Sequence, residues 1–187
     1  MTRTKLASHP TSSAPFLISV LASAGRREDR WLEFDISPRG DMSAIAWPGG
    51  GESRWENWTK GDDLWKRTCF ECFVRLKGSD AYLEFNFSPD GQWAAYEFDS
   101  YRDGMRMASG VNLAVARFWV KERKAGCAAM LELPDAFRSA EWQIGVSAII
   151  EATNRTKSYW ALAHPDGPPD FHDPACFTAT LPPPELT

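Results

Sequence analysis

The sequence predicts an all-β fold, an antiparallel β-sandwich or jelly roll of about ten strands. Three observations carry this. Apolar and polar residues alternate along most of the chain, the period of a strand and not of a helix. Turn chemistry separates the alternating segments, in "SPRGD", "KGSD", "SPDGQ", "ERKAG" and "ATNRTK". Only "LPDAFRSAEW" (133–142) is helix-like, and it suits a single turn. Many short strands with short turns in one domain make a sandwich or jelly roll.

In order, the expected strands are 16–23, 29–37, 41–47, 69–77, 80–88, 92–99, 111–122, 125–133, 142–152, 157–163 and 175–181. Residues 1–14, rich in Ser, Thr and Pro, are expected to be a disordered tail before one domain spanning 15–183. The length of 187 residues suits this, since domains hold about 100–200 residues. In "SPDG", Pro89 suits the second position of a turn and Gly91 a positive φ. Two long segments break the rhythm. Residues 48–68 carry Trp55, Trp58 and Trp65, and the Pro-rich 164–174 carries His164 and His172. Loops of more than about 12 residues inside a compact domain are often functional.

Composition narrows the function. A net charge of -4 argues against nucleic acid, whose binders carry basic patches. No apolar run reaches the ~18–20 residues of a membrane helix. The apolar stretch 16–24 is short, lies late and reads as a first strand, so a cytoplasmic location is expected. The small-residue pattern "LASAG" leaves secretion as the alternative. Cys69 and Cys72 form a CxxC inside a strand-like run. Residues i and i+3 of a strand point to opposite faces, so the pair is expected to be buried and reduced, not a zinc or redox site. No cofactor or metal is expected.

Phasing 69–77, 80–88 and 92–99 separates two faces. One collects Phe70, Cys72, Val74, Leu76, Leu83, Phe85, Phe87, Ala94, Tyr96 and Phe98, a core face. The other collects Cys69, Glu71, Phe73, Arg75, Tyr82, Glu84, Asn86, Trp93, Ala95 and Glu97. This second set is either a solvated face with cross-strand pairs or a ligand surface. Aromatic rings beside carboxylates and an amide suit a sugar, which offers a C–H face to stack and hydroxyls to bond. Trp58 and Trp65 lead from the long loop into the strand of Glu71. Glu151 either caps a turn or borders the same pocket, with Tyr159 and Trp160 opening the next strand. Tyr101 and Arg102 read as closing a loop, and His172 as a hydrogen-bonded loop residue or a ligand contact.

The segments "DLWKRTCFECFV", "YLEFNFSPDGQWAAYEF", "GVSAIIEAT" and "SYWALAHPDGPPDFHDPACF" resemble the DOMON-like group related to family 9 carbohydrate-binding modules, across roughly residues 60–180. The resemblance implies a β-sandwich with a ligand site and no catalytic centre. Related modules hold sugars between aromatic side chains, and on that pattern Trp65, Glu71, Glu84 and Asn86 are pocket residues. Some relatives hold b-type haem through Met and His, for which Met105, Met107, His164 and His172 are available.

The expected function is therefore non-catalytic binding of a small molecule, a carbohydrate or sugar-like ligand. Its expected site is Trp58, Trp65, Glu71, Glu84, Asn86, Trp93, Glu97, Glu151, Trp160 and His172. A haem-binding electron carrier is the first alternative. A glycoside-processing enzyme is the second, because carboxylates on neighbouring strands lie ~5 Å apart, near the separation of a retaining pair.

Overall fold

Alternation along the chain becomes two facing sheets. The computed structural model describes residues 3–50 and 58–184, so Trp55 lies outside the described residues. In chain order the strands are β1 (Thr4–Lys5), β2 (Ala7–Ser8), β3 (Leu17–Arg27), β4 (Trp31–Gly40), β5 (Thr59–Lys60), β6 (Cys69–Leu76) and β7 (Tyr82–Ser88). They continue as β8 (Gln92–Phe98), β9 (Arg106–Met107), β10 (Asn112–Lys121), β11 (Lys124–Glu132), β12 (Trp142–Glu151), β13 (Lys157–Ala161) and β14 (Ala179–Leu181). The first sheet runs β1-β3-β4-β11-β10 and the second β2-β13-β12-β6-β7-β8-β5, with β14 against β12 and β9 against β8. Pairing is antiparallel except at the short β5–β8 edge, which is parallel.

The two sheets enclose the main core. Phe34 of β4 meets Phe87 of β7 with ring centroids 5.0 Å apart, and Phe70 of β6 stacks on Phe118 of β10 at 5.9 Å. Val20, Leu32, Ile36 and Leu131 from the first sheet and Cys72, Val74, Phe85, Ile144 and Ile150 from the second complete it. Full burial of such side chains contributes about 1.5–3 kcal/mol each.

Three expectations change. Residues 3–14 are not a loose tail: β1 pairs with β3, β2 pairs with β13, and Leu6 between them is buried in the core. Segment 41–47 is not a strand. Asp41 accepts hydrogen bonds from Ser43 N (3.0 Å) and Oγ (2.7 Å), capping a 3-10 turn at Met42–Ala44. A side chain that satisfies the turn's free N–H competes successfully with the apolar alternation there.

The third change is the phase of β8. Ser88 pairs with Gln92, Phe87 with Trp93 and Glu84 with Tyr96. The connection is a three-residue loop, 89–91, with Gly91 at φ 82°. A loop of odd length makes odd residues face odd ones across the hairpin. Trp93 and Ala95 therefore join Phe85 and Phe87 in the main core, while Ala94, Tyr96 and Phe98 share the face of Glu84 and Asn86.

That outer face is neither bare nor solvated. Leu64, Cys69, Phe73, Tyr82, Ala94, Tyr96, Phe98, Ile149, Phe171 and Phe177 form a second apolar cluster on it. Loop residues 62–68, 99–105 and 163–178 lie over the sheet. Tyr96 Oη donates to the Asp62 carboxylate. Arg102 Nη2 and Tyr101 Oη both donate to Asp170, which ties the second loop to the third. Because both faces of β6 and β7 are covered, β7 is buried throughout and β6 in all but its last two residues.

Candidate functional site

The loops leave an opening onto the outer face above Glu71 and Glu84. It is a cleft of about 270 Å³ lined by Trp65, Glu71, Glu84, Phe98, Arg102, Met105, Ile149, Tyr159, Pro169, Phe171 and His172. Glu71 comes from β6 and Glu84 from β7. Glu71 sits opposite Asn86, and Glu84 opposite Phe73. The two acids are therefore diagonal in the backbone register and not directly opposite one another.

Both acids are almost fully buried, Glu71 at 2% and Glu84 at 4% exposure. Each is anchored by one internal hydrogen bond. Ser147 Oγ of β12 donates to Glu71 Oε2 at 2.9 Å, and Asn86 Nδ2 donates to Glu84 Oε1 at 2.7 Å. Loss of hydration raises both pKa values above the ordinary carboxylate value, and for Glu71 the adjacent Glu84 adds to the rise. The other oxygen of each acid makes no hydrogen bond to a described residue and is left for whatever occupies the cleft.

His172 closes one side. Its Nδ1 lies 2.7 Å from Tyr82 Oη, whose oxygen also accepts the Arg102 backbone N–H at 3.2 Å. Burial raises the Tyr82 pKa to about 12, so the phenol keeps its proton, and with its oxygen occupied by the Arg102 N–H its hydroxyl is placed to donate to Nδ1. The imidazole proton then sits on Nε2, 3.8 Å from Glu84 Oε2. That distance would admit an ion pair, but burial pushes the His172 pKa down to about 4. A neutral ring facing a buried carboxyl is a weakly polar contact, and the ionic reading fails. Trp65 stands edge-on to Tyr96 at 5.8 Å, and Tyr159 packs beside Phe171 at 6.2 Å, forming the aromatic rim.

Of the residues singled out in the sequence, Trp65, Glu71, Glu84 and His172 meet in this cleft. Asn86 lies beneath it, fully buried, holding Glu84 and accepting from Cys69 Sγ at 3.6 Å. The others are elsewhere. Trp93 stacks on Phe87 in the main core and carries the Lys60 ammonium over its outer ring face at 3.2 Å. Trp160 lies in the same core, its Nε1 donating to Ser158 Oγ at 3.0 Å. Trp58 packs edge-on against Phe87. Glu97 pairs with Arg106 of β9 at 2.6 Å, and Glu151 accepts from Arg155 Nη1 at 3.2 Å across the turn after β12.

Tyr159, Phe171, Phe98 and Arg102 belong to the cleft without having been expected there, and Met105, named only for a haem site, lines it too. Tyr159 is paired with Ile149 and Trp160 with Ala148, so the outward aromatic of "SYWAL" is the tyrosine. The signal was adjacent in the sequence, but β12 is apolar on both faces and its phase is ambiguous.

His172 and Met105 line the same cleft, as a haem site would require, yet the residues do not fit haem. His172 Nδ1 is taken by Tyr82, its Nε2 faces Glu84, and two buried acids form the floor. Axial ligation needs a free imidazole nitrogen and an apolar slot for the macrocycle. His164 lies apart, edge-on to His9 at 4.9 Å and bonded to Ala7 O. The CxxC is split as expected: Cys69 belongs to the outer cluster and Cys72 to the main core.

No family model matches the chain, and no curated protein matches it in sequence. Among solved structures it superposes on a protein from Bacteroides uniformis ATCC 8492, provisionally described as carbohydrate-binding, with TM-score 0.55 and 14% identity over 96% of this chain and 85% of that one. It also superposes on a family 9 carbohydrate-binding module from Caldicellulosiruptor kristjanssonii in complex with glucose, with TM-score 0.53 and 7% identity over 97% of this chain and 86% of that one. At these identities the likeness is one of fold: the all-β sandwich architecture is shared.

Proposed function

We propose that the protein binds a carbohydrate or sugar-like small molecule in the cleft over β6 and β7, and performs no chemistry on it. The observation that carries this reading is a polar floor under an aromatic rim. Glu71 and Glu84 each keep one oxygen for a ligand, while Trp65, Tyr159 and Phe171 supply rings at the opening. A sugar ring presents an apolar face and a girdle of hydroxyl donors, which matches both halves. A cleft of about 270 Å³ suits one ring better than an extended chain, since small-molecule pockets begin near ~300 Å³. The carbohydrate association of both structural neighbours, one of them holding glucose, supports the same reading. So does the DOMON-like kinship expected from the sequence.

The way the acids are held supports the non-catalytic reading. Glycoside hydrolysis needs one carboxyl poised as acid and another ionised across the bond to be cut. Here both acids line the floor of one cleft, and both are biased toward the neutral form. A monosaccharide panel read by thermal shift and calorimetry tests binding, and chromogenic glycosides test catalysis. Binding without turnover is expected. Turnover that is lost in Glu84→Gln would overturn the non-catalytic part.

A further inference from the structure

The cleft is electrically one-sided. Glu71 and Glu84 contribute two acids to its floor; the charge of Arg102 favours their ionised forms from a distance, but no basic side chain among the described residues hydrogen-bonds to either. Arg102 is already paired: its Nη2 donates to Asp170 Oδ1 at 2.8 Å, and the same carboxylate takes the Tyr101 hydroxyl. His172 is held neutral with its Nδ1 bonded to Tyr82. Around the acids stand Trp65, Phe98, Tyr159 and Phe171, whose ring faces attract cations.

A neutral hydroxyl would satisfy an acceptor oxygen but leave two acids side by side. An ammonium would supply three donors and a positive charge at once. We infer that the ligand of this cleft is cationic, an amino sugar whose protonated amine sits at Glu71 and Glu84 while its ring packs against the aromatic rim. This rests on the carbohydrate reading above and specifies it. Burial raises the pKa of both acids, to about 8 for Glu71 and about 7 for Glu84. Ammonium binding favours their ionised forms, so association at neutral pH releases protons to the buffer.

The test is calorimetry on the full chain at neutral pH with D-glucosamine, D-galactosamine and D-mannosamine. Each is compared with its parent hexose and its N-acetyl derivative, in buffers of different ionisation enthalpy. At least one amine should bind about tenfold or more tighter than both neutral counterparts, the size of one charge-assisted hydrogen bond. Its binding heat should vary between buffers in the sense of proton release. In Glu71→Gln and Glu84→Gln, checked for folding by circular dichroism, the amine-to-hexose ratio should fall toward one. If neutral sugars bind as tightly as the amines, or bind alone, the cationic specificity is overturned and the sugar cleft stands. If neither the amines nor a wider neutral panel binds, both readings fall.

Discussion

Tyr82 Oη bonds His172 Nδ1 at 2.7 Å while accepting the Arg102 N–H at 3.2 Å, so one phenol on β7 pins two of the three loops that frame the cleft. The bond also sets the imidazole tautomer and aims Nε2–H at Glu84. Tyr82→Phe removes the acceptor for a backbone N–H and the donor for an imidazole. A cost of about 1–3 kcal/mol is expected, read as a lower Tm. The ¹⁵N shifts of His172 should move from a single Nε2–H tautomer to a mixture; unchanged shifts would show that Tyr82 does not set the tautomer.

The buried acids and His172 pull the pH dependence of stability in opposite directions. Each carboxyl has a folded pKa above its ordinary 4.5. Its contribution is complete below 4.5 and is lost as pH rises through the raised value. His172 has a folded pKa near 4 against an ordinary 6.5, so its contribution is complete above 6.5 and is lost as pH falls toward 4. The effects oppose between these values, and above 6.5 the carboxyls act alone. Stability should therefore fall between pH 6.5 and about 8, by up to about 1.4 kcal/mol per pH unit for each titrating proton, read as a lower Tm. Glu71→Gln and Glu84→Gln should each flatten that slope. A slope identical to the parent's in both variants would contradict the assignment.

Two tryptophans separate fold from function. Trp160 fills the core between the sheets, so Trp160→Ala should cost about 3–5 kcal/mol of stability. Trp65 borders the cleft and is half-buried, so Trp65→Ala should leave Tm nearly unchanged and weaken ligand binding by about 0.5–1.5 kcal/mol. Chemical denaturation and calorimetry on the two variants measure the contrast. The reverse pattern would move the site to the other face.

The thiols are expected to be inert. Cys69, Cys72, Cys127 and Cys176 are all free and buried, and burial raises each pKa well above the ordinary thiol value. An aromatic disulfide reagent should label none in the native protein and all four after unfolding. Fast native labelling at Cys69 or Cys72 would reopen a redox reading.

Strand existence was legible because period-two alternation survives in β3 and β4, where one face meets the core. The carboxyl half of the candidate site was legible in another way: Glu71, Glu84 and Asn86 interrupt strands that otherwise carry apolar residues on both faces. What failed was phase where both faces are apolar. In "QWAAYEF" either alternate set can be core, and the odd-length loop decides that Trp93 faces inward and Tyr96 outward. β12 hides the side of Tyr159 in the same way. Two-residue strands such as β1 and β2 carry no period at all, so the docking of Leu6 was invisible. Loop residues Phe171, Arg102 and Met105 reach the cleft through tertiary contacts with no local pattern.

The central claim is that the cleft over β6 and β7 receives a sugar-like ligand. A ¹H–¹⁵N titration of the full chain with the tightest sugar from the panel tests it most directly. Shifts should concentrate at the Trp65 indole, the His172 ring and the Arg102 and Phe171 amides, leaving the Trp160 and Trp58 indoles in place. Saturable binding that moves Trp160 or Trp58 and spares Trp65 and His172 would contradict the account.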